Sequence, residues 1–210
     1  MKAACVIPAA GRSSRMGEWK PLLPWGRATI IETVIDAVLE AGCQALIVTG
    51  YRAAELEALL AGRPELHTIR NPDWEAGMLG SVRYGVRAAA ALAEPGGAAG
   101  QGGCLILPAD MPLLQPCVIK LLLERAAQET ATGPDRPLSL FPTCGGTSGH
   151  PVWLDYCLLP AMDKLEPDSR LRDFLLTQPH AFLECGESGI LLDLDTTDAY
   201  RAARPATPQH

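Results

Sequence analysis

Thr29-Ile30-Ile31-Glu32-Thr33-Val34-Ile35-Asp36-Ala37-Val38-Leu39-Glu40-Ala41-Gly42-Cys43-Gln44-Ala45-Leu46-Ile47-Val48-Thr49 changes its hydrophobic period once, at Gly42. Upstream of that glycine, Ile30, Ile31, Val34, Ile35, Val38 and Leu39 recur at helical spacing. Thr29-x-x-Glu32 has the form of a capping box, and Gly42 supplies the stop. Downstream, Ala45–Thr49 is a short apolar run of strand length with no polar face. A helix feeding such a strand is the repeating unit of a parallel sheet covered by helices.

The alternation continues in both directions. Strand-length apolar runs occur at Ala3–Pro8, Leu66–Arg70, Cys104–Pro108 and Leu138–Pro142. Helical patterns occupy Ala53–Ala61, Leu79–Leu92, Gln115–Thr130, Leu171–Thr177 and Asp198–Ala203. Two later β-like runs, Ala181–Cys185 and Gly189–Asp193, predict a mixed edge. The expected class is α/β: a Rossmann-like three-layer α/β/α sandwich with a mostly parallel sheet. The length of 210 residues fits a single domain over 1–210. The breaker-rich stretch at about 94–103 predicts a flexible loop, and a disordered tail is expected over 204–210.

Composition narrows the function. Hydrophobic residues make up 48% and charged residues 20%, which suits a soluble globule. A net charge of −6 repels polyanions and anionic lipid, so no nucleic-acid or membrane partner is expected. The seven cysteines contain no C-x-x-C pair and read mostly as small buried hydrophobes in a reducing compartment. Gly11-Arg12 interrupts the first apolar stretch before a signal or anchor forms, and a cytoplasmic location is expected.

Ligands of open α/β sheets bind beyond the carboxyl ends of the strands, which directs the search for chemistry. After the first strand run Pro8-Ala9-Ala10-Gly11-Arg12-Ser13-Ser14-Arg15-Met16-Gly17-Glu18-Trp19-Lys20. Small residues let a ligand approach the main chain, while Arg12, Arg15 and Lys20 bring positive charge; together they suit a polyphosphate. The spacing is neither that of a P-loop nor of a dinucleotide fingerprint. After the fourth strand comes Ala109-Asp110-Met111-Pro112, where Asp110 either caps a turn or holds a hard cation. Asp193-Leu194-Asp195-Thr196-Thr197-Asp198 offers a second acidic group, with Asp193 and Asp195 expected on one face and Asp195 the stronger metal ligand.

These segments occur in order with Val48-Thr49-Gly50-Tyr51, Asn71-Pro72-Asp73-Trp74, Gly77-Met78 with Ser81-Val82, and Gly149-His150-Pro151. Together they resemble the MobA-like nucleotidyltransferases over nearly the whole chain. Pro8-Ala9-Ala10-Gly11 is similar to the loop of the cytidylyl-transferring members, whereas guanylyl-transferring relatives typically read Leu-Ala-Gly-Gly. The resemblance implies transfer of CMP from CTP to the terminal phosphate of molybdopterin, with release of pyrophosphate and a requirement for Mg²⁺ or Mn²⁺. It also implies that Ala9, Ala10, Gly11, Arg12 and Arg15 cradle the triphosphate and that Lys20 neutralises charge near the α-phosphate. Asn71 and Ser81 would face the nucleoside, and Asp110 and Asp195 would share the metal. Arg15, Lys20 and Asp110 are the expected catalytic groups.

Departures from the family pattern are Ala109 for a glycine, Asp195-Thr196-Thr197 for Asp-Thr-Pro, and Glu166–Arg170 in place of Gly-Asp-x-Gly-x-Arg. For the acceptor, His150 either packs or donates to it, and Arg170 and Arg172 either take its phosphate or face solvent. A recipient molybdoenzyme or its chaperone is an expected partner. The competing readings are use of GTP, transfer to a sugar phosphate or methylerythritol phosphate, and a non-catalytic carrier of nucleotide or molybdopterin.

Overall fold

The computed structural model describes residues 3–13, 18–93, 102–130, 133 and 135–205. Chain order begins with β1 (Ala4–Pro8), a short ribbon of β2 (Pro24–Trp25) and β3 (Ala28–Thr29), and α1 (Ile30–Glu40). It continues through β4 (Gln44–Thr49), α2 (Ala53–Leu60), β5 (Leu66–Arg70), α3 (Met78–Leu92), β6 (Gly103–Ile106) and α4 (Pro116–Thr130). The last part holds β7 (Ser139–Cys144), β8 (Thr147–Ser148), β9 (Val152–Asp155), α5 (Leu159–Met162), α6 (Leu171–Leu176), β10 (His180–Glu184) and α7 (Thr197–Ala203).

The main sheet has the order β10-β7-β9-β6-β1-β4-β5, with β8 paired to β7. β1 is central and pairs in parallel with β4 and β6. The sheet is mixed, as expected, but through an interior strand and not through its edge. The strand responsible is β9, which runs antiparallel to both β6 and β7, while β10 pairs in parallel with β7.

Alternation along β1 fills two cores. Cys5 and Ile7 pack beneath α1, α2 and α4, whereas Ala4 and Val6 pack beneath α3, α5 and α6. α3 lies very close to β1, because a Cβ on Gly85 would sit 2.2 Å from Val6 Cγ1. Trp25, Ile30, Leu194 and Tyr200 form a third cluster that ties the small ribbon to α7.

The capping box of α1 is present: Thr29 Oγ1 accepts from Glu32 N at 3.4 Å, and Thr29 N donates to Glu32 Oε2 at 2.8 Å. Thr29→Ala is therefore expected to cost about 1 kcal/mol, read as a lower urea midpoint with an unchanged slope.

Two expectations are corrected. Gly189–Asp193 is not a strand; Ser188–Leu191 forms a 3₁₀ turn. Gly189 is pressed against the chain after β6, where a Cβ would lie 2.4 Å from Leu113 O. The segment makes isolated bonds instead of a ladder, His150 N to Ile190 O at 3.0 Å and Leu194 N to Asp110 O at 3.1 Å. Among the cysteines, only Cys5, Cys43 and Cys104 are buried, while Cys117 and Cys157 are exposed and Cys144 and Cys185 intermediate. The 94–101 part of the expected flexible loop and the 206–210 part of the expected tail lie outside the described residues.

Candidate active site

The site grows from the carboxyl ends of β1 and β6. Beyond β1, Ala9 N donates to Val48 O at 2.9 Å and Ala10 O accepts from Tyr51 N at 3.0 Å, so the loop leaves the sheet locked against β4. The first bond takes the Ala9 N–H, so that donor serves the sheet. Ala9 and Ala10 are buried and Gly11 is exposed. Ser13 has a positive φ of 54°, and its Oγ accepts from Lys20 N at 3.2 Å. Trp19 Nε1 donates to Gly11 O at 3.1 Å, which binds both ends of the loop to each other.

That anchoring buries Lys20 at the start of a short 3₁₀ turn, Lys20–Leu22. Its Nζ donates to Asp110 Oδ2 at 2.8 Å and to Asp195 Oδ1 at 2.7 Å. Asp110 follows β6, whose chain remains attached to β1 through Leu107 N and Val6 O at 2.9 Å. Asp195 arrives from the segment before α7, positioned by buried Leu194. Groups 90 and 175 residues from the lysine thus meet on one atom.

Burial alone would lower the Lys20 pKa, but hydrogen bonds and charge from Asp110 and Asp195 outweigh it and raise the value. The ammonium stays charged throughout the physiological range. Asp193 is exposed and outside the trio; partial desolvation, with Asp195 and Asp110 nearby, pushes its carboxyl up. Asp193 and Asp195 lie in the segment after the Ser188–Leu191 turn and not on a strand.

Pro8, Ala9, Gly11, Ser13, Lys20, Asp110 and Asp195 are among the residues around a cavity of about 220 Å³. Met78 and Gly11 also border a neighbouring cavity of about 360 Å³, lined by Arg12, Trp74, Glu75, Gly77 and Ser81. One is rich in charge and small residues, and the other offers an aromatic wall. They suit a polyphosphate and an attached ring system.

Arg12 faces the second cavity. It pairs with Glu75 at 2.5 Å and stacks 4.9 Å from the Trp74 ring and 5.6 Å from that of Tyr51. Ser81 borders the same cavity, whereas buried Asn71 acts one layer behind. Asn71 Nδ2 donates to Ser81 Oγ at 3.1 Å and its Oδ1 accepts from Asp73 N at 3.0 Å. Arg15 lies outside the described residues.

His150 approaches from β9. Burial lowers its pKa and Arg172 adds to this, while a main-chain hydrogen bond with Ile106 and the charge of Asp110 oppose it. Its Nδ1 is buried without a partner. Arg170 is exposed at the start of α6, with no side-chain cap bond. Arg172 bonds Ser148 Oγ and stacks 5.6 Å from the Phe141 ring. Sequence reasoning assigned no role to Ser13 or Met78; the one available signal was their place inside the quoted loop and the Gly77-Met78 motif.

The lowered His150 pKa sets a sign. Between its ordinary value of about 6.5 and the lower folded value, the unfolded chain binds the extra proton, so stability falls with acidification. Urea unfolding between pH 7 and 5 is expected to show this slope, reduced in His150→Gln. An unchanged slope contradicts it.

The sequence pattern of the MobA-like NTP transferase domain matches residues 5–181, most of the chain. The chain belongs to this family of nucleotidyltransferases. It is 31% identical over 201 residues to the molybdenum cofactor cytidylyltransferase of Escherichia coli K12, covering 95% of this chain and 94% of that protein. The crystal structure of Rv0371c from Mycobacterium tuberculosis H37Rv is similar with a TM-score of 0.75 and 24% identity, over 96% of both chains. The same protein in complex with manganese gives 0.71 and 22% identity, over 96% of this chain and 97% of that one. These two structures share the fold. Among the described residues, no helix is long and apolar enough to cross a membrane.

Proposed function

We propose that this nucleotidyltransferase moves CMP from CTP to the terminal phosphate of molybdopterin, releasing pyrophosphate. The observation that carries the reading is the meeting of Lys20, Asp110 and Asp195 beside the small-residue loop at the end of β1. The relative from Escherichia coli supports the choice of acceptor, and Pro8-Ala9-Ala10-Gly11 supports CTP over GTP.

A phosphate monoester is already largely dianionic at neutral pH, so repulsion between anions is the main obstacle to attack. The site answers with fixed positive charge. Lys20 stands where the α-phosphate and the departing pyrophosphate accumulate charge, and main-chain groups after Ala9 line the same cavity. Arg15 is assigned to the same cradle, Arg12 stands beside it at the neighbouring cavity where Ser81 contacts the nucleoside, and Asn71 positions Ser81. His150 and Arg170 are assigned to the acceptor side, with Arg172 beside His150.

Two carboxylates within 2.8 Å of one cation are hard oxygen donors aimed at one point, which fits Mg²⁺ or Mn²⁺. No group of three His, Cys, Asp or Glu suited to a metal occurs among the described residues. Asp110 and Asp195 would hold the ion together with nucleotide oxygens and water. When bound, it supplies Lewis-acid stabilisation of phosphoryl charge. The chain works as one cytoplasmic domain whose product passes to a molybdoenzyme or its chaperone.

The test is incubation with molybdopterin cofactor, Mg²⁺ and either CTP or GTP, followed by separation of dinucleotides. Cytosine dinucleotide is the expected product. Preference for GTP contradicts the base assignment, and transfer only to a sugar phosphate or methylerythritol phosphate contradicts the acceptor.

A further inference from the structure

Lys20 occupies the point at which Asp110 and Asp195 converge, 2.8 and 2.7 Å from their oxygens. The lysine side chain is 8% exposed, so its ammonium has little access to water as an alternative partner. A divalent ion arriving alone must either share the two carboxylates with a like charge or expel the ammonium from its anions. Both are unfavourable: the first by repulsion at short range, the second by leaving a buried cation unpaired. A divalent ion arriving on a triphosphate brings an anion to which Lys20 can transfer its hydrogen bonds.

We propose that Lys20 is a placeholder cation, holding Asp110 and Asp195 in the nucleotide-free protein and releasing them only to a divalent ion that enters with its nucleotide. The inference rests on the nucleotidyltransferase reading and adds an order of binding to it. In this order free metal is a poor ligand, and the metal site is completed by nucleotide. The carboxylates are thereby kept from capturing stray divalent ions in a non-productive state.

The test is titration with Mn²⁺, followed by loss of its free electron-paramagnetic-resonance signal, on the full chain with and without CTP. Wild-type protein is expected to bind Mn²⁺ alone more weakly than about 1 mM and to bind it at least about tenfold more tightly once CTP is added. Lys20→Gln and Lys20→Met, checked for folding by circular dichroism, are expected to bind Mn²⁺ alone at least about tenfold more tightly than wild type. Wild-type binding of Mn²⁺ alone as tight as that of either folded variant overturns the proposal. So does a variant that folds and shows no gain. If CTP fails to recruit Mn²⁺ to wild type, the nucleotide reading itself fails, whereas the comparison without CTP judges the placeholder separately.

Discussion

Asp110→Asn is expected to lower nucleotidyl transfer by about 10²–10³-fold while the protein remains folded. The substitution keeps the shape of the side chain and one acceptor oxygen for Lys20 Nζ, now 2.8 Å away. It removes the charge that lets this position hold a divalent ion beside phosphate. The carboxylate is only partly buried, with 21% of its side chain exposed, so the folded state does not depend on it heavily. The measurement is kcat/KM for pyrophosphate release together with a urea unfolding curve. Near-native turnover in a folded variant excludes Asp110 from the chemistry.

Lys20→Ala has a comparable expected loss of turnover, about 10²-fold or more, and a different signature in stability. Lys20 is the cation between two acids, and its removal takes away the ammonium that bonds both Asp110 and Asp195. The cost of stripping one partner from a buried charged group is about 3–5 kcal/mol. Here it is expected to be smaller, because Asp195 is 36% exposed and water can reach it. Added Mg²⁺ should recover part of the lost stability without restoring turnover, because the metal can occupy the acids but cannot supply the ammonium at the phosphate. Full activity in this variant would exclude Lys20 from the chemistry.

Much of the fold was legible because its strands are short apolar runs separated by helices of clean period. Ala45–Thr49 and Leu66–Arg70 are found as β4 and β5 almost residue for residue, and the Thr29 capping box places the start of α1. β9 escaped because Val152-Trp153-Leu154-Asp155 is only four residues long and ends in a charge. That aspartate is fully buried and pairs with Arg136 at 2.5 Å, an interior ion pair that resembles a surface turn in sequence. Gly189–Asp193 failed in the opposite sense: its apolar residues look like a strand, yet close packing of Gly189 on Leu113 and burial of Ile190 shape it into a turn.

The site was legible as a set of residues and only in part as an arrangement. Lys20, Asp110 and Asp195 were chosen for their chemistry after strand ends, and they converge. Spacing could not reveal that the lysine joins the two acids directly, since that contact depends on the Ser13 and Trp19 bonds that close the loop. Nor could it show that Arg12 turns towards Trp74 and Glu75, a direction set by stacking and a local ion pair. Asn71 was read as facing the nucleoside, whereas its amide is engaged with Ser81 and the Asp73 main chain.

A crystal structure with CTP and Mg²⁺ tests the central claim most directly. The account predicts the triphosphate in the cavity bordered by Gly11 and Lys20, the ion held by Asp110 and Asp195, and the Lys20 ammonium moved onto phosphate oxygens. Nucleotide bound elsewhere, or an ion held by other residues with Lys20 still paired to both acids, would contradict it.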